Sequence, residues 1–497
     1  MTNLSMSPIS KSQWNATTAR HLLNRAGFGG TSVQVDALVA MGPDGAVDYL
    51  LNYDSLPAEA ISDTQFDRDI RRPLNDEERA MVQQARKSND ENALAQIQKL
   101  RNERDGLDRK QAQEVQKWWL RRMIETGRPF QEKMTLFWHG HFATGYRTIE
   151  DSYHMFLQNQ LFRTNAVGNF SQLVMRILRD PAMLKYLDND ESRKGRPNEN
   201  LARELMELFV LGEGNAYTEN DIKEGARALT GYTFEDDAFK FNAGQHDGES
   251  KTILGQKGEW DGDDFARIIL SRKESSEFLC RKFYRFFVND GPGMPNAKVA
   301  AVTKTLAEEL RKKQYEIKPV LRMLFRSQHF YDAANMGATI KSPVQLTVQT
   351  IRELGVPARD LSTLNSATDL MGQSLFMPPN VKGWECGQTW INTSTFFVRQ
   401  NLAVYLITGK RPDAFDWDES LAHWNTDLLE AAISSRTNGD ASKEADALMD
   451  IVLAINASTV RREQFKKYVQ TLGGPLKGER LVAALCLVTA MPEYQLC

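Results

Sequence analysis

The segment Leu136-Phe137-Trp138-His139-Gly140-His141-Phe142 sets two of the chain's seven histidines two residues apart, among large apolar side chains. Imidazole serves as acid, base or metal ligand near neutral pH. Two imidazoles in an aromatic wall read either as chemistry or as a polar spot in a core. A second cluster lies downstream. Glu199, Arg203 and Glu207 fall at i, i+4 and i+8 and share one helix face, so Arg203 can bridge both carboxylates. Glu204 lies about a third of a turn away. The structural reading of this set is a salt-bridge ladder worth a few tenths of a kcal/mol per pair. Its neighbours Leu201, Leu205, Leu208 and Phe209 are apolar, which predicts instead a desolvated set, costly to keep without a complete network.

Two chemistries follow, beside the reading that all these groups are a hydrogen-bonded core network. In the first, His139 and His141, joined by Glu204, Glu207 or Asp188, hold a divalent metal: zinc, iron or manganese. On a helix the two imidazoles stand about 200° apart, so both reach one ion only from a loop or distorted turn, which Gly140 permits. No HExxH motif and no nearby third histidine support it. In the second, metal-free chemistry, one glutamate in a desolvated place carries a proton as general acid while its partner stays ionised. Glycoside cleavage uses such a pair. Trp138, Tyr186, Trp384 and Trp390 are candidate stacking faces for sugars, with core packing as the other reading. Asp188, Asn189, Glu199, Asn200 and Arg399 complete the expected binding set.

Other groups read more plainly. His21 and Arg25 share a helix face and either join the polar centre or form a buried, satisfied pair. His246-Asp247 fits a local turn. Asp261-Gly262-Asp263-Asp264 misplaces the glycine of a calcium loop and ends on Arg272 at position 12, so Asp263 is read as a helix cap. Lys382, Arg399 and Asn401 flank a Pro-Pro loop and are candidates for an anionic group, Lys382 otherwise being a solvated surface residue. No GxSxG, P-loop or dinucleotide-binding fingerprint occurs.

The elements that must position these residues are mostly helices. Thr17 or Thr18 caps a helix through Arg25, and a second follows over about 35–52. Residues 61–130 read as a charged helical arm, opened by an Asn75/Glu78 capping box, striped by Leu94, Ile97 and Leu100, and interrupted at Gly106. Such a charged run is a solvated face or a partner-docking arm. Aromatics alternating with polar residues over 232–260, punctuated by glycines, predict one or two β-hairpins. The expected architecture is mainly α: a large single-core multi-helical fold with that small β excursion. It divides into N-terminal helices (1–60), the arm (61–130), a core carrying the site (131–405) and a C-terminal helical region (406–497).

Bulk properties exclude some roles. A net charge of −3 and pI near 6.2 argue against nucleic acid. No apolar run is long enough for a membrane span. The N-terminus has no basic head followed by an apolar stretch, which gives a cytoplasmic expectation, or a periplasmic or extracellular one if a signal was removed. Four scattered cysteines with no CxxC fit reduced thiols.

Several segments together resemble the bacterial family DUF1800: Ala19-Arg20-His21-Leu22-Leu23-Asn24-Arg25-Ala26-Gly27-Phe28-Gly29, then 137–142, 180–188, 198–209, 228–232 and Pro378-Pro379-Asn380-Val381-Lys382-Gly383-Trp384. Val210 stands where threonine is expected and Tyr232 where tryptophan is, and neither departure removes an ionisable group. The resemblance implies a mostly helical bacterial protein, often encoded beside a second family resembling sulfatases or phosphatases, and brings no established activity. Such a neighbour suggests work on surface or extracellular polymers.

The leading expectation is an enzyme acting on a glycan or related polymer by hydrolytic or lyase-type acid/base chemistry, with or without a metal. His139 and His141 serve as base or ligands, Glu204 and Glu207 as acid or ligands, and Arg203 organises the charge. The alternatives are a non-catalytic assembly protein that docks a partner enzyme through the arm, and a His/carboxylate metal oxidoreductase.

Overall fold

The computed structural model describes residues 6–57, 66–72, 76–88, 90–215, 217–291, 297–410 and 424–497. Among them are twenty-two α-helices and two two-stranded antiparallel sheets, so the fold is mainly α with a small β excursion. The hairpins pair Tyr232–Glu235 with Ala238–Phe241 and Lys251–Ile253 with Gln256–Gly258. No described helix is long and apolar enough to cross a membrane, and all four cysteines are free thiols.

Several boundaries differ from the sequence reading for local reasons. Asn15, not Thr17 or Thr18, caps the helix Ala16–Ala26, its side chain accepting from both threonine amides. Asp261, not Asp263, caps Gly262–Leu270, and Asp263 is occupied by Arg179. Gly106 does not break the arm. The helix Glu91–Glu125 runs through it, because one interior glycine costs only about 1 kcal/mol. Asp108 also pins that stretch to the body by accepting from Tyr146 Oη (2.8 Å) and from the Ser152 amide (2.9 Å) and hydroxyl (2.6 Å). From Ala112 onward the arm turns inward, burying Val115, Trp118, Trp119, Leu120 and Met123. The proposed capping residue Asn75 lies outside the described residues.

Apolar side chains gather in two clusters. One joins the N-terminal helices to the middle of the chain, and the other joins the inner half of the arm to the C-terminal helices. The helix Pro129–His141 lies between them: Phe130, Met134, Phe137 and Trp138 belong to the first cluster and Leu136 to the second. Proline at its first position suits a helix start, where its missing N–H costs nothing. This helix carries the His-Gly-His segment.

Candidate functional site

A cleft of about 460 Å³ opens along the His helix. Lys133, Leu136, Phe137, Gly140 and His141 line it, recurring at i, i+3, i+4, i+7 and i+8. The helix Lys273–Phe287 contributes Phe278, Lys282, Arg285 and Phe286 at the same spacing. Glu207 and Glu213 come from the segment after Asn200, and Lys382, Gly383 and Trp384 from the Pro-Pro loop.

That loop reaches the helix at the middle residue of His-Gly-His, through Gly383. Gly383 has φ +86°, and a Cβ there would stand 2.1 Å from the Gly140 carbonyl oxygen. The glycine at 383 thus lets loop backbone press onto helix backbone. Trp384 then lies over Gly140, 3.7 Å from where its Cβ would be, with its indole N–H unpartnered.

The two histidines part company. The helix is regular through His141, so the distorted turn that would join them on one ion does not form. His139 is packed among Trp119, Phe162 and Phe376, and Asn159 donates to its Nε2 at 3.0 Å. It does not line the cleft, and burial holds it neutral. His141 does line the cleft. Its Nε2 donates to the Phe209 carbonyl at 2.9 Å, which leaves Nδ1 as a bare acceptor with no partner. Burial, then Lys282, pushes His141 down to about 3, so it is neutral across the physiological range. Among the described residues no group of three or more His, Cys, Asp or Glu could hold a metal. His139, His141 and Glu204 therefore do not assemble the expected ligand set.

The carbonyl that fixes His141 belongs to an unusual turn. The helix Asn200–Glu204 widens into a π-helical turn over Leu205–Phe209, closed by Val210 N–H to Leu205 O at 2.9 Å. Such turns recur at functional sites. The ladder across it forms: Arg203 meets Glu199 at 3.0 Å and Glu207 at 3.3 Å. Glu219, from the next helix, adds two contacts of 2.9 and 3.0 Å that sequence spacing did not reveal. The set is not desolvated. The Arg203 side chain is 32% exposed and that of Glu219 69%, so solvent screens the pairs.

Glu204 behaves differently from Glu207. Its Oε2 is buried without a partner. Burial, and then the charge of Glu207 one turn on, push it up to about 7 against the pull of Arg203 and Lys382. It does not itself line the cleft, but it lies three residues before Glu207, which does, and feels the charges of the lining residues Glu213 and Lys382. Two carboxylates in unlike surroundings therefore occupy adjacent turns, one ready to hold a proton and one tied to an arginine.

The remaining sequence candidates divide. Trp384 and Trp390 line the cleft, Trp390 being buried beneath the loop. Trp138 is corrected to a core residue: it is fully buried, stacks on Phe142 and Phe170, and donates to the Ala166 carbonyl. Asn189 is likewise structural, tying the Leu229 and Tyr232 carbonyls to its turn. Arg399 has no exposed surface and is held by Gln495 and the Lys341 carbonyl, so it cannot meet a substrate. Asp188 and Asn200 are exposed and bonded to each other at 3.4 Å, and neither lines the cleft. Glu199 lies behind Arg203, also outside it. His21 is satisfied by the Phe330 carbonyl, whereas its neighbour Arg25 reaches the cleft. His246 instead reaches the Thr230 carbonyl at 2.9 Å, sixteen residues back, while Asp247 makes the expected local turn bond by accepting from the Glu249 amide at 3.0 Å.

Sequence reasoning missed Lys133 and Lys282. Lys133 is buried, bonded to Gln345 Oε1 and set over the rings of Phe28 and Phe286. Burial brings it down to about 7. The signal was available, since Lys133 is eight residues before His141 on the same face of an otherwise apolar helix.

The family model described as "Protein of unknown function (DUF1800)" matches residues 21–496. The chain belongs to the DUF1800 family. No curated protein and no solved structure matches it. The match takes in the His helix, the π turn and the Pro-Pro loop alike, and with them every cleft-lining residue but Cys497.

Proposed function

We propose that this DUF1800 protein is an enzyme acting on a glycan or related polymer by acid/base chemistry, of hydrolytic or lyase type, in the cleft beneath Trp384. The observation that carries this reading is the contrast between Glu204 and Glu207. A half-buried glutamate pushed up to about 7 is protonated often enough at neutral pH to donate. Its neighbour at the cleft wall, Glu207, is paired with Arg203. His141 adds a neutral acceptor: burial and Lys282 keep it uncharged, and its bond to the Phe209 carbonyl leaves Nδ1 free to accept. Trp384 offers an apolar face for a sugar ring.

The test is turnover of a panel of polysaccharides, read as new reducing ends or as ultraviolet absorbance of unsaturated sugars. Wild type is expected to cleave at least one member, and Glu207→Gln to lose activity about 100-fold or more while keeping its circular dichroism. A panel cleaved equally by both proteins would overturn the reading.

A second reading, assembly with a partner enzyme, is supported by one feature. Met81, Leu100 and Leu107 are exposed on the arm helices Asp76–Ser88 and Glu91–Glu125. Under it, a protein encoded nearby would copurify with the full chain and be lost on deleting 76–107.

A further inference from the structure

The charge of the cleft is not balanced within it. Its lining holds five cations (Arg25, Lys133, Lys282, Arg285 and Lys382) and four carboxylates (Glu207, Glu213, Asp290 and Glu385). Lys382 pairs with Glu213 at 2.8 Å, and Glu207 is taken by Arg203 from outside. Removing those leaves four cations against two carboxylates.

The placement of these cations is as telling as their number. Lys133 is 7% exposed, bonded to an amide oxygen and set over two ring faces, with Cys497 of the same cleft favouring its charge against burial and Arg25. Arg25 is 2% exposed, and its Nη2 has no hydrogen-bond partner. Lys282 packs over Phe278, 5.3 Å from the ring centre, and burial lowers its basicity. No carboxylate comes within ion-pair distance of Lys133 or Lys282 among the described residues. Buried cations without counter-ions are expensive, and a protein keeps them where a ligand supplies the missing charge.

Resting on the enzymatic reading above, we infer that the sugar bound in this cleft is acidic, and that its anionic substituent sits against Lys133, Lys282 and Arg285. Two sources share that chemistry, a uronate carboxylate and a sulfate ester. Both present oxygens that accept from ammonium and guanidinium groups. The geometry separates two tasks: the lysine-rich wall holds the anion, and the Glu204/Glu207 turn handles protons. An acidic substituent also offsets the burial that lowers the basicity of Lys133 and Lys282.

Calorimetric titration of the full chain tests this with three probes: a neutral trisaccharide, a uronate trisaccharide and a sulfated trisaccharide. Binding of either acidic probe, weakening as salt is raised, is the expected result, and the probe that binds names the source. Lys282→Gln is expected to weaken it about tenfold or more, and Lys282→Arg to restore most of the loss. The Lys282 variants keep the fold in view, since Phe278 and the apolar helix face are untouched. Equal binding of neutral and acidic probes, or acidic binding indifferent to Lys282→Gln, would overturn the inference. The readout does not depend on turnover. Acidic sugars bound but never cleaved would leave the inference standing and sink the enzymatic reading. Neutral glycans cleaved without any acidic binding would do the reverse.

Discussion

At the scale of single residues, the chemistry of this protein is set by which polar groups are left without partners. Glu204 Oε2, His141 Nδ1 and Arg25 Nη2 are all buried and unbonded, and all lie in or beside one cleft. Lys133 lies in the same cleft, buried and bonded to Gln345. Its basicity falls from the ordinary lysine value to about 7 because burial penalises the charged form. The unfolded chain therefore binds a proton that the folded chain releases between about pH 7 and the ordinary lysine range. Stability contributed by this residue is lowest below pH 7 and rises with pH through that window. Lys133→Met is expected to raise the thermal midpoint at pH 6 by several degrees and much less at pH 10. Melting curves of both proteins across that range check it, and a pH-independent difference would contradict the account. Much of this scale was legible in the sequence: Arg203 does bridge Glu199 and Glu207, and Trp384 does reach the cleft. What spacing could not show was Glu219 closing the network from another helix, or Arg399 sealed inside the core. Both depend on contacts between segments far apart in the chain.

At the scale of elements, three pieces make the cleft: the His helix, the π turn after Asn200 and the Pro-Pro loop. A helix keeps residues i and i+2 on different sides, so one continuous helix both separates His139 from His141 and assigns them different tasks. A loop or distorted turn at Gly140 would have let both imidazoles reach one ion, but the helix runs on through it, and it is the glycine at 383 that lets the loop backbone meet the Gly140 carbonyl. Gly383→Ala would drive a methyl group into the Gly140 carbonyl and hold an alanine at φ +86°. It is expected to cost about 2 kcal/mol or more and to lift Trp384 off the cleft, seen as changed tryptophan fluorescence and lost turnover. Gly140→Ala, whose Cβ would only touch Trp384 at 3.7 Å, is expected to remain folded with mildly altered activity. Equal tolerance of both substitutions would refute the close backbone approach.

At the scale of the whole molecule, the C-terminal helices are part of the structure that supports the site. Tyr494 is fully buried, bonds Thr350 at 2.7 Å and lies under the Lys341 ammonium, 3.9 Å from its ring centre. Gln495 holds Arg399, and Leu485 and Val488 fill the second apolar cluster. A chain ending at residue 409 is therefore expected to lose its near-ultraviolet circular dichroism and bind hydrophobic dye, and a native spectrum would contradict that dependence. Helical content and the hairpin region were readable from periodicity and glycine spacing. The two apolar clusters meeting at the His helix were not, because they join residues hundreds of positions apart. That meeting point is where the cleft opens, and there the central claim is most directly measured. The pH dependence of kcat/KM on a cleaved glycan should fall above about pH 7 in wild type, as Glu204 gives up its proton. In Glu204→Gln the rate should drop about 100-fold and that limb should disappear. An unchanged profile in the variant would show that the proton comes from elsewhere and that the site is wrongly assigned.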